Sequence, residues 1–390
     1  MKIGIVLPSV PAYSETFFSN KIKGLKEHGF TVVIFANSSK QNSYNLSKIK
    51  VASKLTGNKF QVILVSIYKL IHSFLFHFKN SKNLYSLDSK DGVKFPQRIK
   101  NIISNNHILS EPVDWLHFGF GTMVLNRENV AKAIGAKMAV SFRGFDIGVY
   151  PIKYPNCYLK LWEKVDKIHV ISNDIKDLVY QHGFIGKAEI IKITPAIDTT
   201  FFKSEEEYIY TNKNNFITIA RLHWKKGLVY TFEALAILKK EGIPFHYTII
   251  GDGTELERLK FAAHQLNLLD EVTFTGKLQH VLIKSKLKSS DLYLQYSIQE
   301  GFCNSVLEAQ ALGLLCIVST AEGLPENIVN NETGWVVPKC DSKELANKII
   351  EVINLPEDKK LDIAKNAKER VSKHFTILQQ QQQFVEFYKE

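Results

Sequence analysis

Cysteine is scarce in this sequence, and its spacing excludes several classes of protein. The four cysteines, Cys157, Cys303, Cys316 and Cys340, form no CxxC pair and have no histidine partner at zinc-finger intervals. They therefore give neither a disulfide framework nor a metal-ligand cluster, and we expect a reducing compartment. Residues 1–10 also lack the long apolar core and the small-residue cleavage site of a signal peptide, so we interpret them as the first buried strand of the fold.

Acidic residues are few in the first half of the chain. Residues 1–200 contain 27 Lys and Arg but only 14 Asp and Glu, whereas residues 201–390 contain 23 and 25. Such a first half attracts nucleic acid, anionic lipid or an anionic substrate, unless it is simply a solvated, lysine-rich surface. Because the chain has no RNP sequence and no zinc finger, we expect no nucleic-acid partner and favour an anionic membrane.

The overall composition predicts a folded protein with two domains. Apolar residues make up 45% and charged residues 23% of the 390 residues. Short apolar runs alternate with helical patterns in both halves, which predicts two doubly wound α/β domains with parallel sheets. Residues 199–215 are polar and are predicted to link an N-terminal domain, residues 1–198, to a C-terminal domain, residues 216–374. The predicted strands are Lys2–Leu7, Thr31–Phe35, Trp115–Phe118, Met138–Ser141, Lys167–Ile171, Glu189–Ile193, Phe216–Ala220, His246–Ile250, Val272–Thr275, Leu292–Tyr296 and Cys316–Ser319.

One segment, Phe60–Phe78, stands apart because 13 of its 19 residues are apolar and lysines lie in and beside it. Its length would suffice to span a bilayer, but Lys69, His72 and His77 argue against a spanning helix. We favour a helix that is buried under the N-terminal sheet. The alternative is an amphipathic helix that lies in the plane of a membrane.

The segment Gln299–Gly313, with the sequence QEGFCNSVLEAQALG, follows a predicted strand and carries two glutamates. Glu300 precedes the predicted helix, and Glu308 lies in its second turn. Asn304 or Ser305 is predicted to cap this helix, whose N-terminus offers N–H groups and a positive dipole to a phosphate. The two carboxylates would face one ligand, unless they are merely exposed glutamates near a helix start.

Cations and glycines follow two other predicted strands. Arg221 and Lys226 leave the end of one strand, where two cations suit a diphosphate, although two solvated side chains would give the same pattern. Gly251 and Gly253 leave the end of another strand and would allow the backbone to approach a ligand closely. Taken alone, this GDG loop is a weak indication, because it lacks the full GxGxxG of dinucleotide-binding folds.

Together, these segments resemble the retaining nucleotide-sugar glycosyltransferases of glycosyltransferase family 4. The resemblance is carried by ARLHWKKG, IIGDG, FTGKL, EGFCNSVLEAQALG and GLPENI with the later GWVVP, in that order and most densely in residues 216–338. It implies the α/β GT-B architecture, in which two Rossmann-like doubly wound domains face a central cleft and a C-terminal helix, here about residues 375–390, crosses back to the first domain. The glutamine run Gln379–Gln383 in that helix is predicted to be ordinary helix surface.

The resemblance also implies roles by position. Arg221 and Lys226 match the family's diphosphate-binding pair. Glu300 matches the glutamate that contacts the transferred sugar, and Glu308 matches the one that holds the ribose. Cys303 would lie beside the sugar as a space-filling residue, since no histidine in the motif would activate it. The implied donor-binding set is completed by Phe302, Cys303, Asn304, Ser305, Gly251 and Gly253.

The first half resembles the family less closely. Ser14 and Glu15 lie in SETF, where many members carry a glycine-rich loop, and such variants resemble bacterial surface-polysaccharide enzymes. Arg143, followed by Asp146 on the acceptor side, stands where much of the family has a histidine. Arginine cannot accept a proton, so we expect Arg143 to stabilise phosphate charge or to hold an anionic acceptor. His117 is the nearest candidate for a titrating catalytic group, and the alternative is a core-edge histidine satisfied by backbone.

The resemblance implies a retaining glycosyltransferase that moves a sugar from a nucleotide diphosphate sugar to a glycan or lipid-linked acceptor, in the synthesis of bacterial capsule, O-antigen or exopolysaccharide. We expect no cofactor besides this donor, no metal, and a cytoplasmic protein in peripheral contact with the inner membrane. The rival hypotheses are a sugar-nucleotide epimerase or phosphorylase on the same fold and a non-catalytic glycan-binding or scaffold protein. A dehydrogenase is excluded because the first strand is not followed by the glycine fingerprint of dinucleotide-binding folds.

Overall fold

The chain folds into two compact units, each built on one parallel sheet. The first unit contains Met1–Ile193 and the chain from Gln381 onward, and the second contains Thr194–Gln380. Helices cover both sheets, which confirms the prediction of two doubly wound α/β domains. The computed structural model describes residues 1–10, 16–38, 48–52, 58–203 and 213–389.

The sheet of the first unit has seven strands. They are β1 (Lys2–Leu7), β2 (Thr31–Ala36), β3 (Lys48–Val51), β4 (Trp115–Phe118), β5 (Lys137–Phe142), β6 (Lys167–Val170) and β7 (Glu189–Lys192). Their order is β3-β2-β1-β4-β5-β6-β7, and every pairing is parallel. The strand order reverses between β1 and β4, so ligands are expected beyond the carboxyl ends of these strands.

The sheet of the second unit repeats this topology with six strands. They are β8 (Asn215–Ile219), β9 (His246–Ile250), β10 (Val272–Gly276), β11 (Leu292–Gln295), β12 (Leu315–Ser319) and β13 (Trp335–Val337). Their order is β10-β9-β8-β11-β12-β13, again with parallel pairings. The order reverses between β8 and β11, which are the strands that precede Arg221 and Glu300. The loops of these two residues therefore leave neighbouring strands at the same edge.

Two strands, β3 and β13, were not predicted. Both lie at the edge of a sheet, where a strand pairs on one side only. The sequence of β3, KIKV, alternates lysine with apolar residues, and β13 is only three residues long. Neither has the near-continuous apolar run that identifies a central parallel strand.

The helices of the first unit are α1 (Thr16–Glu27), α2 (Lys59–Phe76), α3 (Phe78–Lys90), α4 (Phe95–Leu109), α5 (Val130–Ala133), α6 (Tyr150–Lys153), α7 (Leu159–Trp162) and α8 (Asn173–Gln181). Helix α1 buries Phe17, Phe18, Ile22 and Leu25 in the core against β1 and β2. Helix α2 begins at a capping box, in which the side chains of Asn58 and Gln61 each accept the other's backbone N–H.

The prediction that Phe60–Phe78 is one buried helix is wrong. The segment breaks at His77, and α2 and α3 meet at an angle of 110°. Much of α2 is exposed, including Phe60 at 68% and Leu75 at 71%, whereas Lys69 is buried. No single described helix is long and apolar enough to cross a membrane, and α2 with α3 meets that criterion only when the bent pair is taken together.

The remaining helices are α9 (Leu228–Lys240), α10 (Leu256–Gln265), α11 (His280–Lys288), α12 (Asn304–Ala311), α13 (Ser342–Ile353), α14 (Glu357–His374) and α15 (Ile377–Lys389). The C-terminal part of α15 packs into the first unit, where Phe384 and Tyr388 join the core. Gln381 is buried, and its amide donates a hydrogen bond to Asn20 O at 3.1 Å. Gln380 is also buried, so the prediction of an ordinary helix surface is wrong for these two glutamines.

Candidate functional site

The loop between β8 and α9 carries both predicted cations. Arg221 follows β8, is exposed, and has no hydrogen bond or ion pair with any described residue. Lys226 ends the short 3₁₀ turn Trp224–Lys226. Gly227 then adopts a left-handed conformation with φ of 62°, and a Cβ atom there would lie 2.2 Å from Tyr296 O. Only glycine therefore lets this loop pass the end of β11.

Two contacts join this loop to the loop that follows β11. Lys225 O accepts the backbone N–H of Ile298 at 2.7 Å. The Lys226 ammonium forms an ion pair with the Glu300 carboxylate, and both side chains are only 12–13% exposed. Burial lowers the pKa of Lys226, but the charge of Glu300 and its hydrogen bond outweigh burial and raise the pKa above its ordinary value. Lys226 is therefore a fixed positive charge at this edge of the sheet.

A third glutamate, Glu322, belongs to this site although it was not among the predicted site residues. Its carboxylate accepts the backbone N–H of Glu300 at 2.7 Å, and Glu300 O accepts the N–H of Gly323 at 3.1 Å. Glu322 has a φ of 40°, an unfavourable conformation for a residue with a side chain. Its segment, AEGLPENI, follows β12 and overlaps the GLPENI motif. That motif was the one feature of the sequence that could have assigned Glu322 to this site. Glu322 thus positions the backbone of Glu300.

The start of α12 is held by a side chain from another loop. Asn327 accepts the N–H of Cys303 at 3.1 Å and donates to Cys303 O at 2.9 Å. Asn304 and Ser305 are the first two residues of α12, and neither side chain caps it, so the predicted cap is wrong. The Ser305 hydroxyl instead donates to Ile219 O at 3.1 Å, at the end of β8. Burial raises the pKa of the Cys303 thiol, which keeps it protonated at neutral pH.

Glu308 is the least satisfied acidic group of the predicted site. It lies in α12 and is half-buried, and burial raises the pKa of its carboxyl to about 7. It has no hydrogen bond or ion pair with any residue that the structure describes. Phe302, before the helix, is buried with its ring centroid 5.8 Å from that of Phe375. Hydroxyl groups of a ligand would supply the donors that Glu308 lacks.

The two glycines after β9 support the loop that carries Arg221. Gly251 has a φ of 145°, and a Cβ atom there would lie 1.9 Å from Ala220 O. A Cβ atom at Gly253 would lie 2.1 Å from Leu222 O. The close approach that was predicted toward a ligand is, in the structure, an approach toward the neighbouring loop.

In the first unit, Asp146 connects the loops that follow β4 and β5. One oxygen of its buried carboxylate accepts the N–H groups of Arg143 and Gly144 at 3.0 Å, and the other accepts that of Gly121 at 2.9 Å. Burial raises the pKa of Asp146, and these hydrogen bonds oppose the rise. The Arg143 guanidinium lies 3.9 Å from the centre of the Phe17 ring. Asp146 therefore holds the loop of Arg143 in place, a role that was not predicted.

The hypothesis that His117 titrates in catalysis is wrong. The side chain is fully buried, with Nε2 2.7 Å from the Ser141 hydroxyl and Nδ1 2.5 Å from the Tyr388 hydroxyl. Burial, the nearby Lys21 ammonium and His169 lower the pKa of His117 well below its ordinary value. It is a neutral core histidine, held by side chains rather than by backbone.

Ser14 and Glu15 lie outside the described residues, so their acceptor-side role stays a prediction. Within the described part of the chain, no group of three or more His, Cys, Asp or Glu side chains is arranged to hold a metal ion.

The first unit has a polar cavity of about 320 Å³ between α4 and the loop that follows β4. Its cations are Lys100 and Arg127, and none of its lining residues is acidic. Arg127 donates to the side-chain oxygens of Asn105 at 2.9 Å and Asn37 at 3.2 Å and to Met123 O at 3.3 Å, all of which are neutral. Burial lowers the pKa of Arg127. The lining residues are Asn37, Gln97, Lys100, Asn101, Ser104, Thr122, Met123, Leu125, Asn126 and Arg127.

Comparison with known proteins finds similarity to glycosyltransferases. Residues 199–370 match the model of the family described as Glycosyl transferases group 1. The chain is 27% identical to WcaL of Escherichia coli K12, which is named for glycosyltransfer in colanic acid biosynthesis, over 96% of both chains. It is 26% identical to AmsK of Erwinia amylovora, an amylovoran biosynthesis glycosyltransferase, over 89% of both chains.

The similarity to solved structures concerns the fold. HepE of Anabaena, which was solved in complex with UDP, superimposes with a TM-score of 0.74 at 16% identity, over 99% of this chain and 98% of that chain. The two parallel-sheet α/β units and this likeness confirm the predicted GT-B fold class.

Proposed function

We propose that this chain, whose residues 199–370 match the model of the Glycosyl transferases group 1 family, transfers a sugar from a nucleotide diphosphate sugar to a hydroxyl of a glycan or lipid-linked acceptor. One observation carries the proposal: Arg221, the Lys226–Glu300 pair and the N-terminus of α12 leave the adjacent carboxyl ends of β8 and β11. The names of the two bacterial relatives support a role in the synthesis of a surface polysaccharide.

The donor side would work mainly through electrostatics. Arg221 is exposed and without a described partner, so its guanidinium is available to a diphosphate. Lys226 and the N-terminus of α12 would add positive charge where the leaving diphosphate gains negative charge. In metal-dependent enzymes a divalent cation stabilises this developing negative charge. Here the positive groups of the chain would do so, and we propose that the reaction needs no metal.

The transfer would proceed with retention at the anomeric carbon. The bond between that carbon and the phosphate oxygen breaks, and its electron pair goes to the diphosphate. The acceptor hydroxyl attacks from the same face, and its proton passes to the departing phosphate oxygen. Glu300, whose backbone is held by Glu322, would orient the sugar, while Glu308 would accept hydrogen bonds from the two ribose hydroxyls.

Nucleotide affinity is expected to depend on Glu308 protonation. Only the ionised carboxylate can accept a hydrogen bond from a hydroxyl group at each of its two oxygens. Burial raises the pKa of Glu308 to about 7. Affinity should therefore rise with pH through about 7, and lowering the pH one unit below the pKa should weaken binding by about 10-fold. Calorimetric titration with nucleotide at pH values below and above this pKa of about 7 measures the change in affinity. Glu308→Gln should flatten the profile, and an unchanged slope in that variant would contradict the assignment.

The acceptor is proposed to bind in the first unit, with an anionic group in the cavity that contains Lys100 and Arg127. Lys100 is exposed and has no hydrogen bond or ion pair with any described residue. Lys100→Gln should raise the KM for a phosphate-bearing acceptor by about 5- to 10-fold, the loss of about 1 kcal/mol from one solvent-exposed hydrogen bond, and leave donor hydrolysis unchanged. The matched control is Lys94→Gln, at the residue that directly precedes the same helix and lies outside the cavity lining. Equal KM values in the two variants would contradict the proposal that an anionic group of the acceptor binds in this cavity.

The test of the proposed function begins with the donor. Thermal unfolding with UDP, GDP, ADP and CMP should identify one nucleotide that stabilises the protein, by about 2.7 kcal/mol at 100 times its Kd. Product analysis with the corresponding sugar nucleotide then separates the rivals, since an epimerase alters the donor without any acceptor and a scaffold protein alters nothing. Activity should survive EDTA; loss that Mg²⁺ or Mn²⁺ restores would contradict the metal-free proposal.

We also propose that the protein works at the cytoplasmic face of the inner membrane, in peripheral contact with anionic lipid. Residues 58–110 support this, because they contain eight Lys and Arg and only two acidic residues, Asp88 and Asp91. Asp88 is buried and accepts hydrogen bonds from Asn101 and Asn129, and Asp91 pairs with Lys164. Neither carboxylate is therefore available to balance the basic residues of this surface.

A further inference from the structure

Helix α2 is packed with its polar side inward. Lys69 and Ser73 are buried where α2 lies against α4. The Asn106 amide of α4 donates to the Ser73 hydroxyl at 2.6 Å, and the Ser81 hydroxyl of α3 donates to Ser73 O at 3.1 Å. Burial lowers the pKa of Lys69. Polar contacts therefore take part in attaching α2 to its unit.

The opposite side of α2 is apolar and faces outward. Seven large side chains, spaced one, three or four residues apart, lie within one face of the helix and are each 49–71% exposed. We call them the outer face of α2: Phe60, Ile63, Leu64, Ile67, Tyr68, Ile71 and Leu75. Exposed apolar residues are usually scattered singly, so a continuous stripe of this size marks an interaction surface.

The charges beside the outer face indicate what covers it. Between Asn58 and Leu87 there is no acidic residue. Lys79 and Lys82 on α3 are exposed, and the Lys82 ammonium lies 5.9 Å from the centre of the Phe78 ring, which is itself exposed. An apolar helix face that is followed along the chain by exposed lysines complements a surface that offers acyl chains below anionic headgroups.

From this arrangement we infer that α2 lies in the plane of the membrane interface, with its outer face among the acyl chains and the lysines of α3 at the headgroups. The polar side of α2 remains packed on α4, so the helix presents one face to the lipid and does not cross the bilayer. This inference deepens the membrane contact proposed above, but it rests on contacts within the first unit and does not depend on the donor site.

Vesicle sedimentation of the full chain tests the inference. The protein should sediment with vesicles of equal parts phosphatidylcholine and phosphatidylglycerol at about 0.01 M salt, where the Debye length is about 30 Å. Leu64→Glu with Ile71→Glu should reduce the partition coefficient by about 10-fold or more. Lys79→Glu with Lys82→Glu should reduce it by at least about 30-fold at low salt and far less at about 1 M salt.

Matched controls lie in the same unit but away from α2. Ile185→Glu removes an apolar side chain that is 96% exposed, and Lys187→Glu reverses an exposed lysine. Both should bind vesicles like the wild type. All variants should keep their stabilisation by nucleotide, so loss of vesicle binding is distinguishable from failure of the donor site.

Depth is measured by fluorescence of Leu64→Trp. Its emission should be quenched by lipids brominated near the headgroup and little by lipids brominated at the chain ends. Quenching at the bilayer centre would overturn the in-plane orientation. Wild-type protein that stays in solution at low salt would overturn the inference. The inference would also be overturned if the wild-type protein formed dimers without vesicles and the Leu64→Glu with Ile71→Glu variant were monomeric. A second copy of the chain would then cover the outer face of α2.

Discussion

Lys226→Ala is expected to weaken nucleotide binding and turnover together by about 30- to 1000-fold, which corresponds to about 2–4 kcal/mol. The substitution removes a cation from the proposed diphosphate site. It also leaves the Glu300 carboxylate, which is 13% exposed, without its partner, so that an unbalanced negative charge would repel the diphosphate. Calorimetry with the nucleotide and steady-state kinetics measure the two effects separately.

The two glutamates should respond differently. Glu300→Ala should lower turnover more than nucleotide affinity, because it addresses the sugar, and Glu308→Ala should mainly lower nucleotide affinity. If Lys226 and Glu300 served only each other, the double variant would recover the activity that either single variant loses. The matched control is Lys239→Ala, which breaks the 2.7 Å ion pair with Glu271 elsewhere in the same unit and should leave binding unchanged. Full activity in a folded Lys226→Ala or Glu300→Ala protein would remove these residues from the site.

Gly251→Ala is expected to destabilise the second unit by about 3–5 kcal/mol. An alanine Cβ would lie 1.9 Å from Ala220 O, and the φ of 145° is unfavourable for any residue with a side chain. The backbone must therefore shift, and the loop that carries Arg221 shifts with it. The thermal transition should fall by roughly 10 °C, and nucleotide affinity should fall even where the protein remains folded.

Gly242→Ala is the control for the conformational part of this effect. Gly242 has a φ of 74°, and no atom lies within 4 Å of the position of a Cβ there. It should cost only about 1–2 kcal/mol, because strain is present without a clash. If the Gly251→Ala and Gly242→Ala variants unfolded at the same temperature, the clash with Ala220 would not be the reason that position 251 requires glycine.

The donor-side residues could be predicted because their pattern is local. Near-continuous apolar runs identify buried parallel strands, and the residues that follow them are at the carboxyl edge of a sheet wherever the sheet lies. That argument alone brought Arg221, Lys226 and Glu300 to one edge, and the ion pair between Lys226 and Glu300 shows two of them in contact. The close approach of Gly227 to Tyr296 was not foreseen.

Residues whose environment comes from distant parts of the chain were predicted poorly. His117 follows the same pattern of a polar residue near a strand end, yet Tyr388, 271 residues later, covers it. Glu322 supports Glu300 from the loop that follows β12. In the same way, Gln381 is a polar residue that was expected on the surface of its helix. It is buried beside α1 because α15 packs there.

The sequence by itself determined the two parallel-sheet units, the order of their elements and the polar residues at the strand ends, because apolar periodicity and loop composition depend on neighbours along the chain. Only the tertiary structure decided which polar side chains are enclosed and which apolar side chains remain outside. Helix α2 is an example: its composition favours burial, but the residues enclosed are Lys69 and Ser73, and the outer face of α2 is exposed. Burial depends on which surfaces meet, and that is a property of the folded chain.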